Sequence, residues 1–178
     1  MILDFQGKRP KLDATVFIAP NATVIGDVEI GPETNVWFYS LLRGDVNAIR
    51  VGARCNIQDG CILHVGSVRF PLTLADDIIL GHRVTVHGCT IEQGAMIGIG
   101  ATVLNGARVG EEAIIGAGAV VTEGSVIPPR VLALGIPAKP VRKLEEKDFA
   151  TLRRIREGYI NLMKVYMADL KSGAQSPA

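Results

Sequence analysis

The sequence predicts an all-β solenoid, a three-sided parallel β-helix followed by one C-terminal α-helix. The first observation is that aliphatic residues recur every six positions in two long runs. The runs are Ile18, Val24, Ile30, Val36 and Leu42, and then Ile91, Ile97, Val103, Val109, Ile115, Val121 and Ile127. The second observation is that small residues stand four positions after the first six members of the second run: Ala95, Ala101, Ala107, Ala113, Ala119 and Ser125. Short strands that turn a corner after each hexapeptide need one aliphatic and one smaller inward residue per repeat.

The residues between the repeats suit tight corners. Glycine, asparagine and aspartate crowd these positions, as in IGDV and LNGARVG, and they tolerate the backbone angles that sharp turns require. Short, evenly spaced strands would also fit an antiparallel sandwich or barrel. We prefer the solenoid because the second run holds one phase across seven hexapeptides. The period alone does not determine the handedness of the coil.

Two breaks interrupt the period. The step from Leu42 to Val51 is nine residues, and the phase is lost between Leu63 and Leu80. A break of this length predicts a loop ejected from the coil, which we place near residues 66–77. Loops that leave a regular scaffold often carry functional residues.

The domain organisation follows from the change of period. We expect the β-helix to occupy residues 1–141. Over residues 142–171 apolar side chains recur every three to four positions, which is typical of an amphipathic helix. The polar residues 172–178 are expected to form a frayed tail.

Composition and charge exclude several kinds of partner. A net charge of +1 provides no overall field for nucleic acid or an anionic membrane, so we expect a small-molecule ligand. The sequence has no apolar run long enough for a membrane span and no secretory signal, which favours a soluble, cytoplasmic protein. The three cysteines, Cys55, Cys61 and Cys89, form no CxxC pair and are interpreted as small packing residues.

The three histidines of the chain, His64, His82 and His87, fall within 24 residues. His64 and His87 each follow an inward aliphatic residue, and their 23-residue separation is about one coil plus a short loop, so they should face outward from adjacent coils about 4.8 Å apart. His82 stands up to roughly 16 Å from His87 along an extended chain, too far for the same ion. We therefore predict an open metal site completed by His82 of a neighbouring subunit, in a homotrimer with three such sites. The alternative is that each histidine is an ordinary surface residue.

Four motifs resemble those of the gamma-class carbonic anhydrases: RGD (43–45), NIQDG (56–60), LHV (63–65) and GHRVTVHGC (81–89). The resemblance places the chain among the hexapeptide-repeat proteins, whose β-helices are left-handed. It implies that the three histidines bind zinc or iron and that the adjacent subunit supplies the middle histidine; imidazole ligands also suit cobalt. The implied reaction is attack of metal-bound hydroxide on carbon dioxide, which gives bicarbonate.

The same resemblance implies roles for other polar residues. Gln58 would hydrogen-bond the hydroxide, Asp59 would lie near it, and Asn56 would orient carbon dioxide or bicarbonate. Arg43 and Asp45 would pair across the subunit interface. Without the resemblance, all five would be interpreted as polar turn residues or a surface ion pair.

The chain departs from the prototype of that family in its proton-transfer residues. Glutamates of the prototype are replaced here by Val46 and by the segment GSVRFPLTL, and Asp76, Asp77 and Tyr159 are weak substitutes. We therefore expect slow hydration, or a different carbonyl or thioester substrate.

Two other functions stay open at this stage. The segment LGIPAKPVR (134–142) resembles the closing segment of hexapeptide acyltransferases, so a CoA-dependent acyltransferase or thioesterase is one alternative. The other alternative is a non-catalytic trimer that the metal only stabilises.

Overall fold

Each hexapeptide of the repeat forms one short strand with a corner after it, in a computed structural model that describes residues 1–172. The predicted tail lies outside these residues, apart from Ser172. The elements are β1 (Ile2–Leu3), β2 (Lys11–Leu12), β3 (Phe17–Ile18), β4 (Thr23–Ile30), β5 (Asn35–Val36), β6 (Leu41–Val51), β7 (Asn56–Ile57), β8 (Ile62–His64), β9 (Leu72–Leu74), β10 (Ile79–Leu80), β11 (Thr85–His87), β12 (Thr90–Ile91), β13 (Met96–Ile97), β14 (Thr102–Val103), β15 (Arg108–Val109), β16 (Ile114–Ile115), β17 (Val120–Val121), β18 (Val126–Ile127), β19 (Val131–Leu134), β20 (Lys139–Lys143) and α1 (Glu146–Ser172).

The strands form a three-sided prism. Eight strands make one face, in the order β20-β19-β16-β13-β10-β7-β5-β3. Twelve strands cover the other two faces, because the long strand β6 pairs with β8 through its first half and with β9 through its second half. The strand pairs are parallel, except for the antiparallel hairpin of β19 and β20. The predicted parallel β-helix is confirmed.

The aliphatic repeat forms the core of the prism. On one face its members stack in register from coil to coil and are almost completely buried: Leu42, Leu63, Val86, Val103 and Val121. Burial of each such side chain stabilises the fold by about 1.5–3 kcal/mol. Ile18 is only half-buried because β3 is the edge strand of its sheet, and Ser125 is also half-buried.

The first break in the period corresponds to a bulge between two long strands. The register of β4 against β6 shifts between Gly26 and Val28, which accommodates the extra residues of β6. The two backbones approach closely there, since a Cβ atom on Gly44 would lie 2.5 Å from the carbonyl oxygen of Asp27. Only glycine fits at the centre of the RGD motif.

The ejected loop is shorter than predicted. Residues 72–74 form β9, which pairs with β6 and β12 inside the sheet, so the loop lies between His64 and Leu72. The prediction of a loop reaching residue 77 was wrong. Leu74 stands six residues before Leu80, so the period had already resumed one hexapeptide earlier.

The C-terminal helix begins at Glu146, four residues later than predicted. Residues 139–143 instead form β20, which closes the last coil as a hairpin with β19. The predicted start at residue 142 was therefore wrong. Within the described residues no helix is long and apolar enough to cross a membrane.

Helix α1 packs on the eight-stranded face, against β5 and β7. An aromatic cluster joins them: the Trp37 ring lies 5.2 Å from Phe17, 5.4 Å from Tyr159 and 5.2 Å from Tyr166, measured between ring centroids. Tilted and edge-on contacts of this kind stabilise beyond the area that they bury. The helix is thereby fixed over the strand that carries Asn56.

Candidate metal centre

His64 and His87 are side by side. Strands β8 and β11 pair in parallel with these two residues directly opposite each other. Both follow an inward aliphatic residue and therefore face outward. His64 Nδ1 lies 3.0 Å from His87 Nε2, and the ring centroids are 5.0 Å apart. The structure thus brings together the pair that the repeat phase places on adjacent coils.

The RGD motif lies next to this pair. Arg43 of β6 stands opposite His64. Arg43 and Asp45 are separated by Gly44, so their side chains project from the same face of the strand. Asp45 contacts Arg43, and its Oδ1 atom lies 2.9 Å from His64 Nε2. Burial opposes ionisation of Asp45, but the hydrogen bonds from His64 and Arg43 outweigh it and lower the pKa of Asp45 below its ordinary value. In the single chain, Arg43 and Asp45 therefore pair with each other.

The sequence analysis missed a third neighbour of the pair, Asn105. Its Oδ1 atom lies 2.7 Å from His87 Nδ1, and its Nδ2 donates to Glu123 Oε1 at 3.2 Å. His87, Asn105 and Glu123 are spaced by eighteen residues, which is one full coil, so the repeat contained the signal for this contact. We define the His64–His87 cluster as the following five residues: Arg43, Asp45, His64, His87 and Asn105.

His82 lies at a corner of the prism, directly after β10 and Gly81. Its Nδ1 atom is 2.9 Å from Asp59 Oδ2, and both side chains are about two-fifths exposed, at 43% and 40%. The backbone N–H of His82 donates to Gln58 Oε1 at 3.1 Å. This corner thus brings three of the candidate residues together.

A row of buried amides supports the corner. Gln58 Nε2 donates to Asn56 Oδ1 at 2.8 Å, and Asn56 Nδ2 donates to Asn35 Oδ1 at 2.6 Å. Trp37 Nε1 donates to the same Asn35 oxygen at 2.7 Å. These bonds fix the orientation of every amide in the row. We define the His82 cluster as the following four residues: Asn56, Gln58, Asp59 and His82.

Tyr159 of α1 lies at the edge of the His82 cluster. Its ring meets Trp37 edge-on, and burial, together with the nearby charge of Asp59, raises the pKa of its hydroxyl. Asp77, in contrast, is occupied elsewhere, because Arg54 binds it through two hydrogen bonds of 2.9 and 2.6 Å. Asp76 accepts the backbone N–H of Ala53. Both aspartates have structural roles.

The two clusters are separate within one chain. Among residues 1–172, no group of three His, Cys, Asp or Glu side chains is placed to hold a metal ion. His64 and His87 lie on strands of the twelve-stranded sheet, whereas His82 follows β10 of the eight-stranded sheet. One chain therefore places its three histidines in two separate clusters.

The donor set of the His64–His87 cluster suits a cation. If His64 Nε2 donates to Asp45 and His87 Nδ1 donates to Asn105, the other nitrogen of each neutral ring carries a lone pair. These two nitrogens, His64 Nδ1 and His87 Nε2, face each other at 3.0 Å. A cation between them would replace this repulsion by two bonds. Ligand nitrogens of a tetrahedral zinc ion are about 3.4 Å apart, given Zn–N bonds of about 2.1 Å. Ligand histidines also usually donate their other N–H to an oxygen, as these would.

Comparison with known proteins extends these observations. Residues 88–123 match the family described as bacterial transferase hexapeptide (six repeats). A carbonic anhydrase of Geobacillus kaustophilus is 45% identical over 94% of this chain and 92% of its own. Gamma carbonic anhydrase 2, a mitochondrial protein of Arabidopsis thaliana, is 39% identical over 91% of this chain, which spans 60% of the plant protein. The crystal structure of a putative acetyltransferase from Bacillus cereus has a TM-score of 0.92 at 43% identity, covering 94% of this chain and 96% of that one.

The Bacillus cereus structure shares the fold, and the relatives carry two different names. The hexapeptide repeats indicate a left-handed coil, in agreement with the predicted handedness. The Bacillus cereus protein is described as a putative acetyltransferase. Two relatives are named as carbonic anhydrases, and each matches more than nine-tenths of this chain. With its histidine pair, its RGD motif and this identity over almost its whole length, the chain belongs to the gamma-class carbonic anhydrase family of hexapeptide-repeat proteins.

Proposed function

We propose that this protein is a metal-dependent carbonic anhydrase that hydrates carbon dioxide as a homotrimer. In each of its three sites, His64 and His87 of one subunit and His82 of the next would bind the metal. The observation that carries the proposal is the division of the candidate residues into two clusters, each with too few ligands for a site. A cyclic trimer unites the two clusters at each subunit interface.

The residues fit zinc, and imidazole ligands also suit iron or cobalt. When bound, the ion would acidify coordinated water, so that hydroxide is available near pH 7 to attack the carbon of carbon dioxide. Asp45, Asp59 and Asn105 would hold the three imidazoles in ligand orientation by accepting their remaining N–H groups. Arg43 would keep Asp45 ionised for this task.

Gln58 is the residue that we assign to substrate oxygens. Its Oε1 accepts from His82, and one Nε2 hydrogen binds Asn56, which leaves the second hydrogen for an oxygen of carbon dioxide or bicarbonate. Asn56 is completely buried, so its proposed role is to hold Gln58 in this orientation rather than to touch substrate. This assignment moves the contact that the resemblance implied for Asn56 to its neighbour.

Proton release would depend on Asp59 and Tyr159. Asp59 is the most exposed carboxylate of the two clusters, and Tyr159 borders it. The position after the RGD motif, a glutamate in the prototype, is Val46 here. Val46 is 61% exposed and has no titratable group that could transfer a proton. We therefore expect slower proton transfer, and slower turnover, than in relatives that have the glutamate. The unpaired, buried cysteines agree with a cytoplasmic location.

A mixing experiment tests the shared site. His64→Ala and His82→Ala should each form trimers that bind little zinc and hydrate little carbon dioxide. When the two variants are co-expressed in equal amounts, each mixed trimer contains one interface with all three histidines. Random assembly should then restore about a quarter of the sites, measured as zinc per protomer and as hydration rate.

The matched control mixes His64→Ala with His87→Ala. Both substitutions damage the same half of the site, so no interface can be complete and nothing should recover. Equal recovery in both mixtures, or none in the first, would contradict the shared site. A trimer that binds no metal but binds CoA would favour the acyltransferase instead.

A further inference from the structure

We propose that Asn105 is a positioning residue for His87 and that Glu123 sets the direction of its amide. Asn105 would select the His87 tautomer with the proton on Nδ1, and would thereby present Nε2 as the metal ligand. This inference rests on the proposed function. It concerns two residues outside the four motifs that resemble those of the gamma-class carbonic anhydrases.

The hydrogen bonds have only one consistent direction. The carboxylate of Glu123 can only accept, so the Asn105 amide must turn its Nδ2 towards Glu123 Oε1, at 3.2 Å. Its Oδ1 then faces His87 Nδ1 at 2.7 Å and can only accept. His87 must therefore carry a proton on Nδ1, and in the neutral ring the Nε2 lone pair is then directed at His64.

A slot made by glycines holds the Asn105 amide. A Cβ atom on Gly88 would lie 2.4 Å from Asn105 Oδ1, and a Cβ atom on Gly66 would lie 3.0 Å from the same oxygen. Phe70 fills the rest of the slot, since its side chain would lie 2.8 Å from a Cβ atom at either glycine. Side chains at these two positions would displace the amide. The close approach to His87 thus depends on the local backbone.

A purely structural role is the competing explanation, because asparagines also bridge coils elsewhere. Asn21 Oδ1 accepts the N–H of Tyr39, eighteen residues later, far along the chain from any histidine. Both asparagines stand at corners of the prism. Asn21 therefore provides a matched control for the loss of a bond between coils.

The test measures the zinc dissociation constant of assembled trimers by competition with a chromophoric chelator. Asn105→Leu should weaken zinc binding by about 10–100-fold, the usual loss when a partner of a ligand histidine is removed. Asn21→Leu should bind zinc like the parent. The double variant Asn105→Asp with Glu123→Gln should recover most of the affinity, because the aspartate still accepts from His87 and the glutamine can donate to it.

The outcomes separate the two proposals. Parental affinity in Asn105→Leu overturns this inference, and so does an equal loss in Asn21→Leu. A parent that binds no zinc overturns the proposed function itself.

A second readout needs no variant. In zinc-loaded parent labelled with ¹⁵N-histidine, the nitrogen shifts should show His87 protonated at Nδ1 and ligated through Nε2. Ligation through Nδ1 would overturn the proposal even if Asn105→Leu failed to assemble.

Discussion

The two clusters that contribute histidines are supported in different ways. The His64–His87 cluster stands on the regular face of the prism, where strand register alone places the imidazoles opposite each other, and its Asp45 and His64 are only 15% and 18% exposed. The His82 cluster stands at a corner, with His82 and Asp59 about two-fifths exposed. Its support comes from buried amides and from α1. Repetition thus builds one half of the proposed site, and irregular packing builds the other half.

This difference predicts where each half is vulnerable. Register is shared by every coil of the sheet, so single surface changes should leave the His64–His87 pair in place. The His82 corner depends on a short chain of specific contacts that runs from Trp37 through Asn35 and Asn56 to Gln58. Breaking one of these contacts should disturb the corner selectively.

The largest effect is expected for Trp37→Ala. Trp37 is 3% exposed, contacts Tyr159 and Tyr166 of α1, and donates to Asn35. Its loss should lower the free energy of unfolding by about 3–5 kcal/mol, measured by urea denaturation of metal-free protein.

Trp37→Phe is the control, because it keeps most of the ring contacts and removes the N–H group. It should cost about 1 kcal/mol. Equal costs for the two variants would mean that the hydrogen bond, and not the packing of the helix, holds the corner.

The fold could be predicted because the repeat is encoded in every coil. Val103, Val109 and Ile115, for example, stand six residues apart, and each is completely buried in the core. The proximity of His64 and His87 followed from the same phase. Interactions that repeat once per coil are therefore readable from the sequence.

The features that escaped prediction have three different causes. The antiparallel strand β20 depends on pairing with β19 at the end of the prism, and the six-residue period does not predict this pairing. The resemblance implied that Arg43 and Asp45 pair across the subunit interface, whereas in the single chain they pair with each other, because the intervening Gly44 puts both on one face of β6. Asn105 does follow the eighteen-residue repeat, and it was missed because that spacing was considered for histidines alone.

A smaller effect, on zinc affinity, is expected at the aspartates that contact His64 and His82. Asp45→Asn should weaken zinc binding by about tenfold, because Asp45 is only 15% exposed beside His64 and an amide is a poorer acceptor there. Asp59→Asn should weaken it less, since water can replace an exposed acceptor. Chelator competition measures both, and a larger loss in Asp59→Asn would reverse the proposed ranking of the two halves.

The smallest effect concerns the start of α1, where Asp148 links the helix to Arg142 of β20. Asp148 accepts the N–H of Glu145 at 2.8 Å and two bonds from Arg142 at 2.6 and 2.9 Å. The guanidinium of Arg142 and the Glu145 N–H hold the pKa of Asp148 far below its ordinary value of about 3.9. Asp148 thus binds protons more weakly in the folded protein than in the unfolded chain.

The sign of the pH dependence follows from this difference. A carboxylate with a lowered pKa stabilises the folded state fully above its unfolded pKa of about 3.9, and this contribution is lost as the pH falls towards the folded value. Asp148→Asn should therefore melt below the parent at pH 7, and the gap in melting temperature should narrow below about pH 4. Glu157→Gln, which removes one negative charge from the middle of the same helix, should show no such convergence. If the gap for Asp148→Asn stayed constant down to acid pH, the charge of Asp148 would not be what holds the start of the helix to β20.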